Sequence, residues 1–231
     1  MTAQVFVKHY DDSRRAAAAR AHRDWLAGLG SGVRIPDLHA TTADRLEFEH
    51  LGHHQPGPAD LPTLAHTLGQ LHAVAYGKHL HAARIDVPFT TSDGLLITDF
   101  PSPRRTMLDR MPVPAAELPV ALYKDANIRN FLLTDTGPAI IDFDDLTLAP
   151  FGYDLAKLVV STAMTHGRLA LGTVDTALET YNACTTTTTL DAHCPLDRLA
   201  VYAEFHHLCT APYLHRNGYR YSWPQVRPWP A

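Results

Sequence analysis

The chain has 231 residues, 45% of them hydrophobic and 19% charged, and a formal net charge of -4. A chain of that length and balance buries a core sufficient for one domain of two lobes, or for two small domains. Its slight acidity gives no overall basic field for gripping a phosphate backbone, which excludes nucleic acid as the expected partner.

In chain order, the opening "MTAQVFVKHYDD" has neither a basic leader nor an apolar stretch long enough for a signal peptide. No run of about 18 apolar residues follows, so the expectation is a cytoplasmic protein with no membrane partner. "QVFVKHY" alternates apolar and polar side chains and is rich in β-branched and aromatic types, which predicts a strand with one buried face and Lys8 near its end. "DDSRRAAAARAHRDWLAGLGSG" opens with Asp11 to Ser13 as caps, runs through Ala and Arg, and stops at a glycine cluster, as a helix does, with Trp25, Leu26 and Leu29 as its apolar stripe. "RIPDLHATTADRLEFEHLG" predicts short strands joined by a polar turn, before the Pro and Gly of "HHQPGPADLP" break the pattern. The break divides a small N-terminal lobe, residues 1–55, from a second lobe, residues 56–231.

Leu64, Leu68, Leu71 and Val74 lie at helical spacing and predict a core-facing helix over 61–76. A Pro-punctuated region follows, with one short helix near "RRTMLDR". After residue 150, "GYDLAKLVVSTAMTHG", "TVDTALETYNACT" and "LDRLAVYAEFHHLCTAPYLH" predict three helices, with the Thr run at 185–189 as a loop and the tail "WPQVRPWPA" too rich in Pro to be regular. Cys184, Cys194 and Cys209 are odd in number and lack metal-type spacing, which points to reduced structural thiols. His53 with His54, His79 with His81 and His206 with His207 do not share a helical face, so they are expected at the surface rather than on a metal. The pairs Arg14 with Arg15 and Arg104 with Arg105 are expected on solvated faces.

The chemistry concentrates in "YKDANIRNFLLTDTGPAIIDFDD", residues 123–145. "FLL" and "AII" are strand-prone runs around "TDTG", whose Asp and Gly favour a tight turn, so they are expected to pair antiparallel. That pairing returns Asp142, leaving the second strand, beside Asn130, entering the first. One amide oxygen and one carboxylate then converge, the hard ligands that Mg²⁺ takes together with water and substrate phosphates. Asp125, in the loop five residues before Asn130, can stand clear of the metal and accept a proton from an attacking hydroxyl. The competing explanation is that these Asp and Asn residues serve only local turns. Their joint spacing, followed by "GYDLA", favours a site over three unrelated turns.

These motifs resemble the aminoglycoside phosphotransferase and choline kinase family, small-molecule relatives of the eukaryotic-type protein kinases. "YKDANIRNFLL" is similar to the family's His-x-Asp-x-x-x-x-Asn catalytic loop, "IIDFDD" to its Asp-Phe-Gly-type metal loop, and "GYDLAKL" to its Tyr-Asp-Leu-Ala segment. The resemblance implies an α+β, protein-kinase-like two-lobed fold, with a short N-lobe lacking the glycine-rich loop and a mainly helical C-lobe. It further implies ATP-dependent transfer of the γ-phosphoryl group to a hydroxyl, of a small molecule or of a peptide Ser or Thr. Asp125 would be the base, with Asn130 and Asp142 on Mg²⁺. Lys8 matches a Val-Ala-Ile-Lys-type strand lysine bound for the nucleotide phosphates, or is a solvated strand-end lysine. "LEFEHLG", with Glu49 and Leu51, matches the hinge contacting adenine, or is an edge strand. Asp154 would be a buried structural carboxylate beneath the catalytic loop.

Several positions depart from the family pattern. Only seven residues precede Lys8, so the glycine-rich cover is expected to be absent; either a partner protein or another loop completes the nucleotide site, or nucleotide binding is weak. The first helix offers Lys8 no Glu, and Asp24 is a short substitute. Tyr123 stands where the loop His is usual. Asp144 adds a carboxylate near the metal, either as support for it or as a disturbance to ATP. The reading from another functional class is a pseudokinase-like scaffold without turnover.

Overall fold

The computed structural model describes residues 4–52, 54–113, 119–186 and 192–230. Three strands, β1 (Val5–His9), β2 (Leu38–Thr41) and β3 (Arg45–Glu49), form an antiparallel sheet in the order β1-β3-β2, with α1 (Ser13–Gly28) joining the first to the second. Then follow α2 (Leu61–Lys78), a small hairpin of β4 (Phe89–Thr90) and β5 (Leu96–Ile97), α3 (Arg105–Leu108), and the strands β6 (Val120–Tyr123), β7 (Phe131–Thr134), β8 (Gly137–Ile140) and β9 (Thr147–Pro150). The rest is helical: α4 (Tyr153–His166), α5 (Leu171–Thr185), α6 (Leu196–Thr210) and α7 (Trp223–Val226). The architecture is α+β, a small sheet followed by a mainly helical mass.

In the N-terminal part, the Asp12 carboxylate accepts the Arg14 backbone N–H at 2.8 Å and starts α1, the usual service of a capping Asp. The helix buries Ala16, Ala19, Trp25 and Leu26. The strand β1 departs from expectation, since Val5, Phe6 and Val7 all remain exposed; β1 lies at the sheet edge, and α1 packs against β3. For the same topological reason "EFEHL" is no edge strand, because β3 is the central one.

Beyond the sheet, α2 buries Leu64, Leu68, Leu71 and Ala75, with Val74 only half-buried, and lies along α5. A Cβ on Gly69 would meet both the Cys184 Cβ and the Tyr181 carbonyl at 2.9 Å, so only glycine lets these two helices approach so closely. Nearly all of α4 is buried, from Tyr153 through Met164. It runs through the middle of the helical mass and has no solvent face to show as a polar stripe.

Three expectations give way to packing. Arg104 is buried, its guanidinium 4.6 Å from both the Phe100 and Tyr123 ring centres and within 3.2 Å of the Tyr153 hydroxyl, because aromatic faces and hydroxyls satisfy it away from water. His206 is buried too, its Nδ1 3.1 Å from the Tyr153 hydroxyl. The tail is partly regular: α7 carries Pro224 in its first turn, where no N–H is needed. Trp223 there is fully buried and meets Trp229 edge-on at 5.6 Å. His53, residues 114–118 of the Pro-punctuated region, and residues 187–189 of the Thr run lie outside the described residues. Cys184, Cys194 and Cys209 are free thiols. Among the described residues no helix is long and apolar enough to cross a membrane.

The strand pairing positions the chemistry. β7 opposes β8, Phe131 against Ile140, and β6 opposes β9, Val120 against Pro150. The 124–130 loop joins β6 to β7, and the 141–146 loop joins β8 to β9. With each loop spanning the same two ladders, the two are forced to run side by side.

Candidate functional site

The 124–130 loop is shaped from below. Asp154, fully buried in the first turn of α4, accepts the backbone N–H of Lys124 at 2.9 Å and of Ala126 at 2.8 Å. Asp125 is thus gripped on both flanks and held at φ +57°, a left-handed conformation uncommon for a side chain with a Cβ. Burial raises the Asp154 carboxyl to about 6, against the lowering effect of those two backbone donors. Asn127 then accepts the Arg129 N–H at 3.1 Å and caps a 3₁₀ turn, Ile128–Asn130, that delivers Asn130 to the start of β7. Asp142 is also left-handed, at φ +63°. Both carboxylates therefore project from sparsely populated backbone states, which persist only where the surroundings over-determine them.

Hydrogen bonds join the two loops. The Ile141 N–H donates to the Asn130 carbonyl at 2.9 Å, so Asp142 stands one residue past Asn130's direct partner, beside it as the hairpin requires. The buried Lys124 ammonium donates to the carbonyls of Ile141 at 3.1 Å and of Asp142. Burial lowers its pKa despite the carboxylates of Asp142 and Asp125 nearby. The 3₁₀ turn brings Asp125 into contact with Asn130 rather than setting it apart: the Asn130 amide nitrogen donates to the Asp125 carbonyl at 2.9 Å and to its Oδ2 at 3.2 Å. The other carboxylate oxygen, Oδ1, accepts the Tyr123 hydroxyl at 2.9 Å and lies 3.2 Å from the Lys157 ammonium. Burial works against the charge of Lys157, but the Asp125 carboxylate and the Tyr219 hydroxyl together more than compensate and raise the Lys157 pKa.

Lys8 reaches in from the sheet. Its ammonium is 2.6 Å from Asp142 Oδ1 and 2.6 Å from Asp144 Oδ1; burial opposes its charge, and these two partners more than compensate, raising its pKa. Asp24 is not its partner, being engaged with Arg20 at 3.5 Å and Arg23 at 3.1 Å further along α1. The Glu49 carboxylate is turned to the Arg34 guanidinium and to the Asp37 N–H, the latter at 3.2 Å.

Two clefts meet here. One, of about 430 Å³, lies between the sheet and the β7–β8 hairpin and is mostly apolar, with Phe48, Leu51, Leu132, Ile141 and Phe143 in its walls and Lys8 and Glu49 at its margin. The other, of about 560 Å³, is polar, with Asp125, Asp145, Lys157, Arg129 and Tyr219 among its lining. Asn130 and Asp142 line both. The structure thus brings Lys8, Asn130 and Asp142 together at the junction and sets Asp125 on the polar side. Glu49 and Leu51 lie across the apolar cleft.

Sequence reasoning missed Lys157, Lys124 and Tyr219. Lys157 carries a signal: it follows Asp154, the carboxylate expected beneath the catalytic loop, by three residues, hence on the same helical face. Tyr219, whose hydroxyl accepts from Asn127 at 2.9 Å and Lys157 at 3.2 Å, had none, as 92 residues separate it from Asn127.

The sequence matches the model of the phosphotransferase enzyme family over residues 2–186. No curated protein matches it significantly. Solved structures share its fold. A macrolide 2′-phosphotransferase from Brachybacterium faecium is 14% identical, with 99% of this chain and 86% of that one covered at a TM-score of 0.56. A choline kinase from Streptococcus pneumoniae is 15% identical, covering 90% and 75% at 0.53. An amicoumacin kinase in complex with AMP-PNP, Ca²⁺ and Ami is 14% identical, covering 91% and 73% at 0.57. All three have the protein-kinase-like fold.

Proposed function

Because the chain belongs to the phosphotransferase enzyme family, we propose that it transfers the γ-phosphoryl group of ATP to a hydroxyl of a small molecule. The observation that carries this reading is the shared wall: Asn130 and Asp142 line both clefts, and Asp125 lines only the polar one. The apolar cleft suits a planar base, the polar one a hydroxyl-bearing acceptor, and the group in transit passes between them. A polar cleft of about 560 Å³ is in the size range of small-molecule sites.

The junction also suits Mg²⁺. The Asn130 amide nitrogen is engaged with Asp125, so its carbonyl oxygen would be the atom to hold a cation, and Asp142 would add a carboxylate. Among the described residues no three His, Cys, Asp or Glu side chains gather into a closed cage, which fits an ion that takes few protein ligands and completes its shell with phosphates and water. When bound, Mg²⁺ supplies charge neutralisation on the nucleotide phosphates. The nucleotide analogue and divalent cation in the amicoumacin kinase complex support both assignments.

In this scheme Asp125 takes the proton from the acceptor hydroxyl as its oxygen bonds to the γ-phosphorus. The bond from that phosphorus to the β–γ bridging oxygen breaks, and ADP leaves with the electron pair. Tyr123, Asn130 and Lys157 fix the carboxylate's orientation, which is most of what such chemistry asks of a protein. Lys8, at the mouth of the apolar cleft, meets the phosphates.

ADP release measured with a panel of amino alcohols, aminoglycosides and macrolides tests the proposal. At least one acceptor should stimulate turnover, and Asp125→Ala should reduce it by roughly 10²- to 10⁴-fold. Acceptor-dependent turnover no higher than that of the variant refutes it.

A further inference from the structure

We infer that Asp144 is the residue that positions Lys8 for the nucleotide phosphates, an inference that rests on the phosphotransferase reading. Lys8 has two carboxylate partners at equal distance, 2.6 Å, on Asp142 and Asp144. They are not equivalent. Asp142 lines the junction of the clefts and is the more exposed, with 40% of its side chain open against 21% for Asp144. The Asp142 oxygens are those a cation would claim, and a carboxylate drawn onto a divalent ion holds an ammonium less well. Asp144 lines neither cleft, so it keeps its bond when Asp142 is engaged.

Asp144 is itself fixed. Its Oδ1 also accepts the Tyr10 hydroxyl at 3.1 Å, and its Oδ2 lies 3.3 Å from the Arg15 guanidinium. Tyr10 follows β1 directly and Arg15 sits in the first turn of α1. The residue after β1 and the first turn of α1 therefore both close on the carboxylate that holds Lys8. Helix α1 offers no competing acid, Asp24 being paired with Arg20 and Arg23. The lysine's counter-charge thus comes from the same loop as Asp142, which fixes the lysine's place relative to that carboxylate.

The test is a double-mutant cycle on nucleotide affinity, measured by calorimetric titration of AMP-PNP at saturating Mg²⁺ into the full chain. Asp144→Asn and Lys8→Met should each weaken binding by about tenfold, and the double variant should be no weaker than Lys8→Met alone, because one interaction is lost only once. Asp144→Glu, which keeps the charge, should recover part of the loss, and Asp24→Asn should bind as wild type does. Repeating the wild-type and Asp144→Asn titrations from sub-saturating to saturating Mg²⁺ should leave the deficit unchanged. Losses that multiply in the double variant, a deficit that Mg²⁺ repairs, or unaltered affinity in Asp144→Asn would each overturn the inference. A wild-type chain that fails to bind AMP-PNP overturns the phosphotransferase reading as well, an outcome separate from normal binding with an additive cycle.

Discussion

Replacing Asp154 with Asn sets two opposed effects against each other at a site whose geometry is closed. The carboxylate is fully buried and accepts two backbone donors, Lys124 N–H at 2.9 Å and Ala126 N–H at 2.8 Å. An amide has one acceptor oxygen, so one of those N–H groups loses its partner, at about 1–3 kcal/mol. Against this, burial lifts the wild-type carboxyl to about 6 when folded, from its ordinary 3.8 when unfolded. At neutral pH the fold therefore carries a charge it disfavours by about 3 kcal/mol. The two effects roughly offset, and the variant should be within about 2 kcal/mol of wild type at pH 7.

The pH dependence separates them. Because the folded pKa of Asp154 lies above the unfolded one, the folded state binds more protons between about pH 4 and 6, and this residue's contribution to stability rises as pH falls through that window. Going from pH 7 to 5, wild type gains about 1.4 kcal/mol from it, which the variant lacks. With a urea m-value of about 2–3 kcal/mol/M, the gap between the two midpoints should widen in wild type's favour by about 0.5 M. Midpoints that move in parallel across this range would show that the Asp154 carboxyl is not strained by burial, and would refute the reasoning. Turnover should fall by about 10²-fold even where stability is matched, since the donor left unpaired flanks Asp125 and a displacement of about 1 Å is enough.

Two further outcomes follow from the same core. His72 is fully buried, its Nδ1 is 2.7 Å from the Tyr181 hydroxyl, and burial lowers its pKa to about 3 from 6.5; being neutral when folded, it loses stability as pH drops below 6.5, by about 2 kcal/mol between pH 7 and 5. His72→Phe should therefore flatten the acid side of a urea-midpoint profile by that amount, and an unchanged profile would place the acid sensitivity elsewhere. At Gly152, φ is +89° and an added Cβ would lie 2.9 Å from the Cys194 Cβ and closer still to its sulfur. Gly152→Ala should lower stability by about 3 kcal/mol or more, with Cys194→Ala relieving only the contact with the sulfur, since the Cβ at that position stays; a thermal midpoint unchanged in the single variant would contradict this.

How much could be foreseen differs from element to element. The β7–β8 hairpin was legible because its apolar runs and the Asp135 and Gly137 of its turn are local, and pairing then fixes Asn130 near Asp142. Helices α1 and α2 announced themselves through caps and periodicity. Strand β1 misled, since alternation describes a strand but not whether anything covers its face. Arg104 and His206 misled for the opposite reason: composition marks them as surface residues, and only the aromatic cluster of Phe100, Tyr123 and Tyr153 accounts for their burial.

Residue order alone carried the chemical inventory: an Asp, an Asn and a second Asp at fixed spacing around a turn, an α+β order of elements, and a family resemblance in one contiguous stretch. Those properties are local, set by neighbours a few bonds away. Tertiary structure alone decided the partners. That Lys8 pairs with Asp142 and Asp144, that Lys157 faces Asp125, and that two clefts share one wall all depend on residues brought together across 32 to 136 positions, a closure that backbone topology, not local preference, imposes.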